Sequence, residues 1–91
     1  MHKKSYSSLE KVFKGVANHR RIQMMDALHE KPELSLGEIA DQLSIDYRTA
    51  SEHLRKLTLA GLVMKRYEGN IVRHALTDRG KSILKFCRIL E

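Results

Sequence analysis

Thiols, chain breakers and long apolar runs are all scarce in this 91-residue chain. It has one Cys, one Pro, five Gly and only 5% aromatic residues. A lone Cys87 excludes an intrachain disulfide, so a reducing, cytoplasmic setting fits. No apolar run approaches the roughly 20 residues that cross a bilayer, so no membrane partner is expected. Met1-His2-Lys3-Lys4 is basic, but the apolar stretch of a signal peptide does not follow it. No repeat, low-complexity tract or linker divides the chain, and its length fits a single domain over 1–91. There is no phosphate-cradling Gly loop, no Cys–His nucleophile pattern and no credible carboxylate pair, so no catalytic site is expected. The five His lack ligand spacing, and neither a metal nor another cofactor is expected.

What the chain does have is positive charge, unevenly placed. The net charge is +6. Residues 1–33 carry seven Lys/Arg against four acids, residues 34–46 carry only Glu38, Asp41 and Asp46, and residues 47–91 carry ten Lys/Arg against four acids. Such a balance suits a polyanion: DNA, RNA or an anionic surface.

The sparse breakers make the elements readable. Leu9, Val12, Phe13 and Val16 have helical spacing and predict a first helix over about 8–17. Asn18 can cap a second helix with Ile22, Met25 and Leu28 on one face, stopped by Pro32; Met24 and Met25 read as core or near-core filler. Ser35-Leu36-Gly37-Glu38 has the capping-box form and opens a short helix bearing Leu36, Ile39, Ala40 and Leu43. Asp46 can cap the next helix, with Ala50, Leu54 and Leu57 inward and Gly61 at its end. Leu62 begins an extended segment, Gly69-Asn70 signals a hairpin turn, and Ile71 to Leu76 returns. Thr77 can cap a last helix with Ile83, Phe86, Cys87 and Leu90 on one side. The fold class is therefore mainly α with a small β-hairpin, in the order helix, helix, helix, helix, hairpin, helix.

Helices three and four, joined by Ser44-Ile45, have helix-turn-helix spacing. In such a unit the second helix, here about 47–60, enters the major groove of double-stranded DNA. Its outward side would carry Arg48, Glu52, Arg55 and Lys56, with Ser51 beside them and Tyr47 in the first turn. Arg48 and Ser51 are the best base readers: Arg can hold guanine, and Ser can contact base or phosphate. Glu52 can accept from cytosine, or pair with Arg48 or Lys56 four residues away. Tyr47 can meet a thymine methyl or a phosphate, or merely cover the turn. Thr49, His53, Arg55 and Lys56 suit phosphate contacts, although His53 also suits a structural place at the core edge. Leu59 lies opposite the core face and has no assigned role.

The hairpin, about 62–76, carries Lys65 and Arg66 on one strand and Arg73 and His74 on the other. A two-residue turn would set Arg66 against Arg73 and Lys65 against His74. A three-residue turn would set Lys65 against Arg73. Either register opposes like charges, which is destabilising, and a phosphate beside them would relieve it. The hairpin would then contact the minor groove or the backbone; otherwise it is an exposed hairpin kept soluble by charge.

At these residues the chain resembles a known family. Val12-Phe13-Lys14-Gly15-Val16-Ala17-Asn18-His19-Arg20-Arg21 is similar to the opening of ArsR-type winged-helix repressors. Glu38-Ile39-Ala40, Leu43, Thr49, Ser51, His53-Leu54, Leu57 and Ala60-Gly61-Leu62-Val63 continue the resemblance. Leu76-Thr77-Asp78-Arg79-Gly80 is more like the end of the wing in MarR-type regulators. The resemblance implies a winged helix-turn-helix, a dimer built mainly on the first and last helices, and a roughly palindromic operator. Two positions depart from it: Ser44 stands where the turn often has Gly, and Glu52 where a basic residue is common. Metal sensors of the family use a Cys pair on the helix before the recognition helix, or acid and His ligands on the last helix. Here 34–43 has no Cys and 78–91 has no His.

Leu9, Val12 and Phe13 on the first helix, with Ile83, Phe86, Cys87 and Leu90 on the last, exceed one narrow stripe and make the candidate homodimer interface. Cys87 on this stripe reads as a buried structural thiol rather than a sensor. The leading expectation is a dimeric, sequence-specific DNA-binding regulator, a repressor by resemblance. The alternatives are a winged-helix module that binds protein, and a nonspecific nucleic-acid or RNA binder.

Overall fold

The structure, a computed structural model, describes residues 3–91, with side chains from residue 5 onward. Met1 and His2, on which the signal-peptide reading begins, lie outside the described residues. The order is α1 (Lys3–Val16), α2 (His19–Glu30), α3 (Leu36–Leu43), α4 (Tyr47–Leu59), β1 (Val63–Glu68), β2 (Ile71–Leu76) and α5 (Asp78–Ile89). This is the winged helix-turn-helix order expected from the pattern.

Local chemistry fixes the boundaries. The first amides of a helix lack intrahelical partners, and side-chain oxygens supply them. Asn18 Oδ1 accepts from the Arg20 amide at 2.9 Å. Ser35 and Glu38 form the reciprocal capping box, at 3.2 and 2.8 Å. Asp46 accepts from the Thr49 amide at 2.8 Å, and Thr77 from the Gly80 amide at 3.0 Å. Gly61 ends α4 with a positive φ of 74°, a conformation glycine adopts without strain. Ser44 closes α3 with φ 56°, so the turn takes the left-handed geometry even without glycine.

The buried side chains form one cluster. Met24, Met25, Leu28, Ile39, Leu57 and Leu62 are its fully enclosed large members. Two close approaches seat the outer helices. A Cβ at Gly15 would overlap the Ala60 side chain, so α1 lies directly on α4. A Cβ at Gly80 would strike the Leu62 carbonyl, so α5 starts against the backbone leaving α4.

Two expectations need correction. The first helix begins at Lys3 rather than near Ser8, because its opening turns are polar and carry no apolar period to read. Ile22 is 36% exposed, and the inner face of α2 is Arg21, Met24, Met25 and Leu28. That face has helical spacing, but its first member is an arginine, which a search for apolar residues passes over.

The hairpin pairs in the two-residue register, with Arg66 opposite Arg73 and Lys65 opposite His74. It is not free-standing. Leu34 bridges His74, with His74 N–H donating to Leu34 O at 3.0 Å and Glu33 N–H to His74 O at 2.9 Å. The segment between α2 and α3 thus acts as a short third strand that anchors the wing. Among the described residues no helix is long and apolar enough to cross a membrane.

Candidate nucleic-acid interface

Helix α4 presents two faces. Ala50, Leu54 and Leu57 are buried, while Arg48, Ser51, Glu52, Arg55 and Lys56 are exposed. Tyr47, in its first turn, is 63% exposed. Thr49 is half-buried, and its hydroxyl donates to Asp46 at 2.6 Å. That bond and the Thr49 amide hold the Asp46 carboxyl below its ordinary range. Thr49 therefore braces the helix start.

Glu52 pairs with neither Arg48 nor Lys56. It takes Arg55 in a two-pronged contact, at 2.6 and 3.1 Å, which holds its carboxyl below the ordinary range. Arg55, three residues on, can lay its planar fork along the carboxylate, which a lysine cannot. Among the described residues Arg48 and Lys56 have no carboxylate partner. They are the open cations of this face.

His53 is half-buried and faces α2. Its Nδ1 accepts from Arg21 Nε at 3.2 Å. Arg21 is only 9% exposed, and its Nη1 also donates to the carbonyls of Lys14 at 3.1 Å and Gly15 at 2.9 Å. One guanidinium thus closes the end of α1 and steadies the middle of α4. Burial lowers the His53 pKa first, and Arg21 and Lys56 lower it further. The ring therefore sits at the core edge, with Nδ1 serving as an acceptor.

The wing differs from its expected chemistry. Arg66 and Arg73 do face each other, but acids already offset them. Arg66 meets Glu33 at 3.0 Å and Glu68 at 3.2 Å. Arg73 lies 3.5 Å from both Glu38 and Glu68, and donates to Glu33 O at 3.3 Å. No phosphate is needed to relieve the pairing. His74 is 3% exposed, and its Nδ1–H donates to Leu34 O at 3.0 Å, since a carbonyl can only accept. Burial pushes its pKa down. His74 is thus part of the wing's foundation and cannot reach a duplex. Lys65 remains exposed, Arg66 exposed but paired, and Arg73 half-buried and paired.

Between the start of α3, Tyr47 and the wing runs an open groove of about 560 Å³, edged by Ser35, Glu38, Tyr47, Lys65 and Arg73. It continues along α4 past Ser51 and Arg55. Glu33 and Glu38 reach the wing arginines here, and Arg21 supports the other flank of α4; the ion pairs of Glu33 and Glu38 and the burial of Arg21 escaped the sequence pattern. Arg21 left a usable signal, its place on the α2 stripe; Glu38 was legible as a capping residue, but the wing pairings of both acids left no signal, because Arg66 and Arg73 lie far along the chain.

On α1 and α5, Leu9, Phe13, Phe86 and Leu90 are exposed, and Ile89 joins them. Ile83 and Cys87 are half-buried. Val12 is a core residue, and it offers little surface to a second subunit. Among the described residues no three His, Cys, Asp or Glu side chains gather as a metal site would require.

Known proteins share this arrangement. A family model described as a helix-turn-helix domain matches residues 17–66. The chain is 32% identical over 76 residues to the cadmium resistance transcriptional regulatory protein CadC homolog of Staphylococcus aureus, covering 84% of this chain and 63% of that protein. It is 36% identical over 67 residues to the transcriptional activator HlyU of Vibrio cholerae, covering 74% of this chain and 61% of that one. The match thus spans about three-fifths of the length of these two relatives. Among solved structures, HlyU superposes with a TM-score of 0.83 at 32% identity, covering 99% and 97% of the two chains. The homodimeric winged helix-turn-helix DNA-binding domain of a possible ArsR-family transcriptional regulator from Mycobacterium bovis superposes with a TM-score of 0.87 at 26% identity, covering 99% and 85%.

Proposed function

The chain belongs to the ArsR family of winged helix-turn-helix transcription regulators, and we propose that it works as a homodimer that binds a two-fold-related operator in double-stranded DNA and represses transcription by occupying it. The observation that carries this reading is the free outer face of α4. Among the described residues Arg48 and Lys56 stand exposed without carboxylate partners, on a helix braced by α3 behind and flanked by Lys65 of the wing. A helix so mounted fits the major groove, with its first turn nearest the base edges. Arg48 and Ser51 are the base readers; Tyr47, Lys56 and Lys65 hold the backbone.

The dimer reading rests on α1 and α5. Leu9 and Phe13 on α1 and Phe86, Ile89 and Leu90 on α5 are exposed apolar side chains, and a shallow groove between the two helices is lined by Leu9, Val12 and Ile83. A second copy of the same face would remove it from water, and a two-fold axis there would pair the two recognition helices. The neighbour from Mycobacterium bovis is described as homodimeric, which supports a two-chain assembly.

The test is selection from random-sequence DNA with the purified chain at fixed salt, alongside sedimentation. The expected product is an enriched pair of inverted half-sites, about 10 base pairs apart or a multiple of that, bound by two chains and resistant to competitor DNA. Retention of all sequences alike would mean a nonspecific binder. No retention would leave the protein-interaction module.

A further inference from the structure

Two lysines of α1 have no part in the reading so far. Lys11 and Lys14 lie on its exposed side, just before Gly15. Because Gly15 sits directly on Ala60, these lysines are drawn against the C-terminal half of α4. With Lys56 and Leu59 they line an open groove of about 410 Å³. Leu59, 73% exposed and claimed by neither core nor wing, forms its aliphatic rim.

Among the described residues the groove holds more cation than neighbouring carboxylates match. Among the described residues Lys11 and Lys56 have no carboxylate partner, and Lys14 has only the exposed Glu10 at 3.5 Å. Arg21 lies beneath, its Nη1 and Nε donors directed to backbone carbonyls and to His53. Part of the lowering of the His53 pKa comes from Arg21, Lys56 and His19, a sign of the local positive field. Like charges converging on one trough repel each other, and an anion there removes the repulsion.

The position identifies the anion. Taking about 100° per residue around α4, Ser51 and Tyr47 turn toward the wing, whereas Lys56 and Ala60 turn toward α1. The wing and the α1 groove therefore flank opposite sides of the outer face, as the two phosphate walls flank a helix in a major groove. Lys56 belongs to both the groove and that face, so the two surfaces are continuous.

We infer that Lys11, Lys14 and Lys56 form a second backbone track, which grips the phosphodiester chain of the bound duplex on the side of α4 away from the wing. This rests on the DNA-binding reading and adds a contact from α1, a helix otherwise assigned to dimerisation.

The experiment measures the salt dependence of binding to a selected site for the unsubstituted chain, the Lys11→Gln/Lys14→Gln double variant and the Lys11→Arg/Lys14→Arg double variant. Each neutralised phosphate contributes about 0.9 to the logarithmic slope, and the dimer carries both substitutions twice, so the Gln variant should be shallower by roughly 3.6. Its base preference should be unchanged, and the Arg variant should keep the original slope. In the unsubstituted chain, saturating DNA should protect the Lys11 and Lys14 amines from acylation, a readout independent of any variant's folding. An unaltered slope in the Gln variant, or equal acylation with and without DNA, overturns the second track while leaving the DNA-binding reading intact. Failure of the unsubstituted chain to bind any DNA removes both.

Discussion

Arg21 Nε donates to His53 Nδ1 across 3.2 Å, linking the inner face of α2 to the flank of the recognition helix. This bond requires the imidazole to be neutral at Nδ1. It makes the posture of α4 depend on a proton.

Stability should fall in mild acid for this reason. His53 and His74 both have folded pKa values below the ordinary 6.5 of the unfolded chain, chiefly through burial. Below about pH 6.5 the unfolded chain takes up protons that the folded chain still refuses. The stability these groups contribute is complete above that value and is lost as pH falls toward their folded values. Denaturant midpoints measured from pH 7.5 to pH 5 should decline, and the decline should be shallower in His53→Gln. A flat profile in the unsubstituted chain would show that neither imidazole is held neutral.

Arg48→Ala should weaken binding to the selected site by about 1–3 kcal/mol and relax preference at one base position. Lys56→Ala should instead weaken all sequences alike and lower the salt slope by about one per protomer, roughly 1.8 for the bound dimer. Competition titrations against single-base variants of the site separate the two. If Arg48→Ala weakens every sequence equally, Arg48 touches only the backbone.

Glu68→Gln should tighten binding without sharpening it. Glu68 contacts both Arg66 and Arg73, and its loss leaves more of the wing's charge for phosphates. The expected change is a gain on all sequences and a salt slope steeper by up to about one. Unchanged affinity would mean that the wing arginines stay folded back or never meet the duplex.

Ser44→Gly should stabilise the chain by about 1 kcal/mol, because Ser44 is held at φ 56° where a side chain is disfavoured. Thermal or urea unfolding gives the sign directly. A loss of stability would show that the Ser44 side chain compensates locally for its backbone.

Much of this molecule was legible because short-range chemistry writes it. Asn18, Ser35, Asp46 and Thr77 each mark a helix start through a bond to an amide two or three residues away. Gly69-Asn70 fixes the hairpin register in the same way. What escaped depends on distance along the chain. Glu33 and Leu34 anchor the wing from 33 and 40 residues away. No local pattern could have placed His74 under that strand instead of on the surface. Arg21 was hidden by its own charge, since a buried guanidinium with three partners breaks the rule that charged residues lie outside. The outer face of α4 was readable from its period alone; which of its cations stay open was not, because that depends on rotamers such as that of Arg55.

The junction after α4 has a mechanical meaning. Thr77 Oγ1 donates to Gly61 O at 2.6 Å while accepting from the Gly80 amide, and Arg79 reaches back to Ala60 O at 3.2 Å. With Gly80 seated on Leu62, the last helix and the reading helix are clamped at one hinge point with little play. If two copies join through the last helix, the gap between their reading heads is that of a fixed calliper. Inserting or deleting a single base pair between half-sites should then cost far more than altering the bases that lie there.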